Sequence, residues 1–135
     1  MQNLNFDNGI KEIMVNGNPN AIIRICTNDF SLPVRFQKMH DEVSVLLGSI
    51  GHDPAAIAEA DKEIRMKMNE LLGGDVSDAL FGTTNCLSLS NGAPIVVNCL
   101  MALMPIVREA VESETAQAKQ KIKEYAAQAK QLPQA

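Results

Sequence analysis

A chain of 135 residues with 46% apolar and 21% charged side chains is long enough for one domain with its own core, and its composition speaks against a disordered polyelectrolyte. A net charge of −4 and a pI near 5.1 argue against broad affinity for nucleic acid or an anionic membrane. Four Phe, one Tyr and no Trp leave the core to Ile, Val, Leu, Met and Ala.

The three cysteines, Cys26, Cys86 and Cys99, are odd in number, widely separated and without a CxxC pair. They support neither a zinc ribbon nor a disulfide framework and are expected to be buried, reduced thiols. The N-terminal "MQNLNFDNG" is polar and lacks the apolar core of a signal peptide. The longest apolar stretch, "APIVVNCLMALMPIV" (93–107), is too short for a membrane span and is broken by Asn98 and Pro105. A soluble intracellular protein is the expectation.

In chain order, Leu4 and Phe6 alternate with polar neighbours and suggest a short strand before an Asp7-Asn8-Gly9 turn. "IKEIMVNG" (10–17) and "AIIRICT" (21–27) are rich in β-branched residues and flank Asn16-Gly17-Asn18-Pro19-Asn20, which predicts a hairpin. Ile23 and Ile25 then share one face of the second strand, with Ile22, Arg24 and Cys26 on the other. So small a sheet needs helices against it.

A first helix is predicted from Ser31-Leu32-Pro33, capped by Ser31 or a neighbour, with Val34, Met39, Val43, Leu46, Leu47 and Ile50 at helical spacing and Gly48 and Gly51 at its fraying end. A second starts with Asp53 as cap and Pro54 in the first turn. Its stripe of Ile57, Ile64, Met68, Leu71 and Leu72 ends at Gly73-Gly74. Asp75 is expected to cap a short turn, Val76 to Phe81, that Gly82 stops, and a loop from Asn85 to Gly92 leads to a long helix from about Pro94. Pro105 should either kink that helix or begin a new one.

Beyond Ser113, "ETAQAKQKIKEYAAQAKQLPQA" consists largely of good helix formers. Its apolar residues, with Val111, form a seam of near-heptad spacing: Val111, Ala118, Ile122, Tyr125, Ala129 and Leu132. Two readings stand: a solvated helical extension that frays at its end, or a helix that docks on a partner through this seam. The predicted fold class is α+β, a small N-terminal antiparallel sheet packed on three to four helices. A domain over 1–112 is followed by a polar helical extension over 113–135.

The stretch "NELLGGDVSDALFG" (69–82) invites a ligand-binding reading, because Gly73-Gly74 before a helix start presents backbone N–H groups. A phosphate loop would need GxxxxGK[ST], yet no Lys or Arg lies between Lys67 and Arg108, and Asp75 and Asp78 would repel an anion. As a calcium loop starting at Asp75, the run lacks Gly at its sixth position and has Cys86 where Glu belongs. Gly73, Gly74, Asp75, Leu80, Phe81 and Gly82 are therefore expected to form a structural corner, with Leu80 and Phe81 turned inward. His40 and His52 read as surface or capping residues. Cys86 with Ser88, Ser90 and Asn91 lacks any base at a recognisable spacing. Glu59, Asp61, Glu63 and Glu70, interleaved with Lys62, Arg65 and Lys67, read as a solvated face. No catalytic, metal-ligating or cofactor-binding residue is predicted.

The corner residues Asp75, Asp78, Leu80, Phe81 and Gly82, together with a hairpin from Ile10–Val15 and Ala21–Thr27, resemble the small tail assembly chaperones of long-tailed bacteriophages, especially those of prophages in Gram-positive hosts. In that family a β-hairpin precedes a helical body in which an acidic turn and a Phe-Gly separate two helices. The similarity covers roughly residues 4 to 112. The second "FG" often found downstream is replaced here by "CLSLSNG". The resemblance implies a non-enzymatic protein of the host bacterial cytoplasm, without cofactor, that binds the tape measure protein and tail tube subunits during tail morphogenesis. It also implies that the polar C-terminal helix contacts partners, and that this chain is the shorter of two frameshift products. A homo-oligomer is a further expectation. The seven Met residues suit an adaptable helix-binding surface, though core packing accounts equally for Met66, Met68, Met101 and Met104. The alternatives are a small structural subunit of a tail or head–tail connector whose hairpin adds to a neighbour's sheet and, more distantly, a small cytosolic enzyme that depends on Cys86.

Overall fold

The computed structural model describes residues 1–131 as an α+β arrangement. Its elements are β1 (Ile10–Val15), β2 (Asn18–Cys26), α1 (Leu32–Ile50), α2 (Pro54–Leu72), α3 (Ser77–Phe81), β3 (Leu89–Ser90), β4 (Ala93–Pro94) and α4 (Ile95–Gln131). The antiparallel β1–β2 hairpin packs on the helices through alternate residues of β2: Ala21, Ile23 and Ile25 are buried while Ile22 and Arg24 face outward, as the alternation predicts. The hairpin loop is tighter than the predicted five residues. Asn16 and Gly17 take positive φ (52° and 69°), which closes a two-residue turn whose twist matches the strands, and β2 already begins at Asn18. The surplus residues are absorbed by a register shift between Met14, opposite Ile22, and Val15, opposite Asn18.

The strand expected around Leu4 and Phe6 is absent, and both side chains are exposed. The Asp7 and Asn8 side chains accept the N–H groups of Gly9 and Ile10 (2.9 and 3.2 Å). Those two turns end the ladder before Leu4 or Phe6 can find a strand to pair with.

Helix α1 buries Leu32, Phe36, Met39 and Val43, a 4-3-4 spacing that lies on one face. Val34, expected on that face, is instead 73% exposed. Five positions before Met39, it stands well over a quarter-turn from the stripe. Ser31 does not cap. It is itself helical, and Asp29 accepts both its N–H (2.9 Å) and its hydroxyl (2.7 Å).

Helix α2 matches its sequence closely. Asp53 accepts the Ala55 N–H (3.1 Å), Pro54 occupies the first turn, and the helix ends at Gly73, whose φ of 77° is the left-handed cap that glycine tolerates best. Arg35 reaches across from α1 and donates to the carbonyls of Glu70 (3.1 Å) and Leu71, and also to Asp29 (3.4 Å). Those carbonyls belong to the last turn of α2 and have no helical donor of their own. One guanidinium thus ties the end of α2 to the start of α1.

The expected loop from Asn85 to Gly92 contains a second, miniature hairpin, β3–β4, closed by Asn91 and Gly92 with φ of 54° and 76°. It repeats the Asn-Gly chemistry of the first, but strands of two residues leave no periodicity to detect. From it α4 runs for 37 residues, about 55 Å. Pro105 lies inside this helix rather than starting a new one. Pro105 and Met101, whose carbonyl loses its usual donor, are both exposed, while Val96, Leu100, Leu103 and Val107 are buried. No helix among the described residues is long and apolar enough to cross a membrane.

The core joins Ile23 and Ile25 of the hairpin to Phe36, Met39 and Val43 of α1, Ile64, Met68 and Leu72 of α2, and the inner stripe of α4. Ile64→Ala, at a site only 1% exposed, should lower unfolding free energy by about 3 kcal/mol in urea titration. Val34→Ala should change it by less than about 0.5 kcal/mol. Similar losses at the two sites would contradict this assignment of faces.

Candidate functional site: the 69–86 corner and the exposed C-terminal helix

The corner is built around Arg65. Its Nε meets both carboxylate oxygens of Asp61 (3.2 Å each), one turn earlier on α2. Its Nη2 donates to the carbonyls of Gly82 (2.9 Å) and Thr84 (2.7 Å), and its Nη1 approaches the Ser77 carbonyl (3.5 Å) and Asp78 (3.4 Å). The guanidinium carbon lies 5.5 Å from the centre of the Phe81 ring. With side chains only 16% and 20% exposed, Arg65 and Asp61 are not part of the solvated face expected for α2. That face is divided. Glu59 and Lys62 pair in solvent, and Lys67 bridges to Glu42 of α1 (3.1 Å). The i,i+4 spacing of Asp61 and Arg65 instead points them at the chain beyond Gly82.

Asp75 does not cap α3, contrary to expectation, and remains exposed. Asn69 takes that role from the last turn of α2: its side-chain oxygen accepts the N–H groups of Val76 (2.9 Å) and Ser77 (3.0 Å). The left-handed Gly73 folds the chain back over Asn69, whose backbone carbonyl also accepts the N–H groups of Gly73 (2.9 Å) and Gly74 (3.1 Å). The glycine N–H groups that an anion would need are therefore already bonded. Phe81 is buried, Leu80 is half-buried, and Gly82 ends α3 with its N–H on the Asp78 carbonyl (2.8 Å), as the corner reading predicts.

Asp61 also holds Cys86, accepting its backbone N–H at 2.8 Å. Burial raises the Asp61 carboxyl. The Cys86 N–H and thiol and the Arg65 guanidinium outweigh that and hold it below the ordinary value of 3.8. The Cys86 thiol is pushed up to about 12, first by burial and then by the neighbouring Asp61. Burial alone pushes Cys99 up to about 11. A nucleophilic thiol needs the opposite shift, and Cys86 is instead fully buried in the core. His40 lies 3.5 Å from Asp41 and is exposed, as is His52. Among the described residues no group of three His, Cys, Asp or Glu side chains is placed to share a metal ion.

The second feature is the far half of α4. From Glu112 to Gln131 every residue is exposed except Thr115, which is half-buried and donates its hydroxyl to the Val111 carbonyl (2.7 Å). Val111 is half-buried against the core and belongs to the body. Ala118, Ile122, Tyr125 and Ala129 are uncovered, Ile122 being 66% and Tyr125 60% exposed. Leu132 lies outside the described residues. Counted at 100° per residue, these four continue the stripe of Val96, Leu100, Leu103, Val107 and Val111 that packs on the core. The apolar face of α4 outruns its domain by four turns.

Two of the surface concavities are apolar enough to bear on the site. A groove of about 960 Å³ lies along α1 and α2, with Val34, Val45, Leu46 and Ile64 among its apolar lining and Lys38, Asp41, Glu42, Glu63 and Lys67 as its charged residues. A hollow of about 470 Å³ lies between the hairpin and α4, lined by Ile13, Val15, Leu80, Cys99 and Ile106 among others. Local sequence patterns do not reveal such a groove, although Val34 and Val45, three turns apart on one helical face, are its available signal.

Comparison of the chain with protein-family models, curated proteins and solved structures yields no match.

Asp61→Asn should cost about 3 kcal/mol at neutral pH, because it leaves the largely buried Arg65 with only the exposed Asp78 as counter-charge. The Asp61 carboxyl titrates below 3.8 in the folded chain, so its stabilisation is complete above that value and is lost as pH falls through and below it. Denaturant titrations of both proteins from pH 7 to pH 3 should therefore show the gap narrowing at the acid end. A gap that stays constant with pH would refute the role given to the Asp61 charge.

Proposed function

We propose that this protein is a non-enzymatic assembly chaperone that binds a helical client through the uncovered stripe of α4. The observation that carries the reading is the continuity of that stripe. Side chains in register with the core face of α4 extend four turns beyond any described residue that covers them. A helix presenting Ile122 and Tyr125 between Ala118 and Ala129 has the i, i+4, i+7, i+11 anchor pattern of helix-in-groove and helix-on-helix recognition. Its Ala, Gln, Lys and Glu background keeps it helical without a core beneath.

The client class comes from the resemblance of the hairpin and the Asp75–Gly82 corner to phage tail assembly chaperones. On that reading the partners are the tape measure protein, whose long apolar helices need cover before assembly, and the tail tube subunits. The setting is the cytoplasm of the bacterial host. No cofactor enters the mechanism: binding exchanges water on two apolar stripes for mutual contact, and release occurs when the client's helices pack into the tail. The exposed Met66 and Met101 add adaptable surface near the body.

One observation favours a second reading. In the two-stranded sheet each strand has a single partner, so β1 presents an unpaired edge to which a neighbouring subunit's strand can add. A structural subunit of a tail or connector would use that edge and persist in finished particles, whereas a chaperone would be absent from them.

Co-expression with the tape measure protein encoded nearby should raise that protein's soluble yield several-fold and give co-purification. The double variant Ile122→Asp/Tyr125→Asp, altered only at exposed positions, should abolish both effects while its circular dichroism is unchanged. Equal rescue by the variant would remove α4 from the interface, and no rescue by the unaltered chain would remove the chaperone reading.

A further inference from the structure

The groove along α1 and α2 and the uncovered stripe of α4 are two apolar features that the described residues leave uncovered. They cannot meet within one chain. Helix α4 is continuous from Ile95 to Gln131, so its far half is carried away from the body and would have to break to fold back. We propose that the stripe of one copy lies in the α1–α2 groove of a second copy, and that the exchange is reciprocal, giving a twofold dimer.

Length, position and charge support this occupant. The groove extends along α1 from Pro33 to Ser49, about 24 Å at helical rise, and the stripe from Ala118 to Ala129 spans about 17 Å, so it fits with room for its flanking turns. Pro33 lines both this groove and the crevice in which Val107, Val111 and Glu112 of α4 sit. The helix therefore leaves the body beside the mouth of its own groove. Two copies related by a twofold axis near that point can each lay a tail into the other's groove, as a self-complementary interface requires.

Charge is divided along the sequence in the same sense. Residues 1–112 carry 14 acidic and 8 basic side chains, and residues 113–135 carry 2 and 4, so the overall −4 is the sum of a −6 body and a +2 tail. Lys119, Lys123 and Lys130 fall on one flank of the stripe. Asp41, Glu42 and Glu63 edge the groove against Lys38 and Lys67, with Glu42 paired to Lys67 at 3.1 Å, so the groove carries one net negative charge within a −6 body, and each copy brings the cationic helix that this body attracts. Val34 and Val45, 73% and 74% exposed in the single chain, then gain the cover they lack.

The exchange does not depend on the identity of any client, and no client enters its test. Sedimentation equilibrium of the full chain at micromolar and higher concentration should show a monomer–dimer equilibrium that weakens as salt is raised. Ile122→Asp/Tyr125→Asp in the tail and Val34→Lys/Val45→Lys in the groove should each weaken dimerisation by about tenfold or more, since all four positions are exposed and their replacement leaves the core intact. Mixing the two variants pairs an intact tail with an intact groove, and heterodimers should form more readily than either variant dimerises alone. A strictly monomeric wild-type chain, a dimer insensitive to either double substitution, or a mixture no more associated than its components would each overturn the proposal.

Discussion

The ion pair of Arg65 with Asp61 is the constraint on which the middle of the molecule depends. Between α2 and α4 lie some twenty residues with only one turn of helix and two strands of two residues, too little regular structure to satisfy their own backbone. Arg65 supplies donors to the carbonyls of Ser77, Gly82 and Thr84, and Asp61 accepts the Cys86 N–H. Lysine would not substitute, because a compact ammonium lacks the planar fork that spans two carbonyls and a carboxylate at once. Phe81 lies near the guanidinium and closes the site with an apolar side chain buried in the core.

The chain beyond Thr84 inherits this geometry. Cys86 is fully buried, and its carbonyl accepts the Val96 N–H at 2.9 Å, while the Ser88 carbonyl accepts that of Ile95 at 2.8 Å. Both donors belong to the first turn of α4, where no helical acceptor exists. The pair on α2 thus fixes Cys86, and Cys86 helps fix where α4 begins and which of its faces meets the core. Arg35 does comparable work at the other end of α2 by holding the Glu70 and Leu71 carbonyls. Two arginines, each bonded to main chain across a helix end, hold together elements that apolar contact alone would leave free to slide.

Legibility in the sequence divides along the same line. Features decided by near neighbours can be read directly: the Asp53 cap, the Pro54 start, the Gly73 stop and the alternation of Ile23 and Ile25. Features decided by distant chain cannot. Asn69 caps a helix that begins eight residues later, across a reversal of direction, and nothing local distinguishes it from the nearer Asp75. Asp61 and Arg65 have the spacing of an ordinary surface pair, and only the return of residues 77–86 over them makes them structural. Val34 is a different kind of miss. Its phase relative to Met39 and Val43 already places it off the stripe, with Phe36 the better match. The groove it lines is a consequence of that same phase.

Helix α4 carries the main physical tension in the molecule. Tertiary packing supplies most of the stability of helices in proteins, and the residues beyond Val111 gain little of it. Strong helix formers offset part of that deficit, yet they would do so equally well with Gln or Lys in place of Ile122 and Tyr125. Those two side chains add nothing to the isolated helix that polar residues would not, and their exposure carries a cost in solubility. Their value lies in contact, and contact is what the proposed client and the proposed second copy would compete for. Under such competition the apparent affinity for client falls by the fraction of tails already docked, so dilution would favour client binding and accumulation would favour the dimer. On these two proposals, a stripe covered by its own kind until a long apolar helix displaces it would account for the exposed hydrophobic seam.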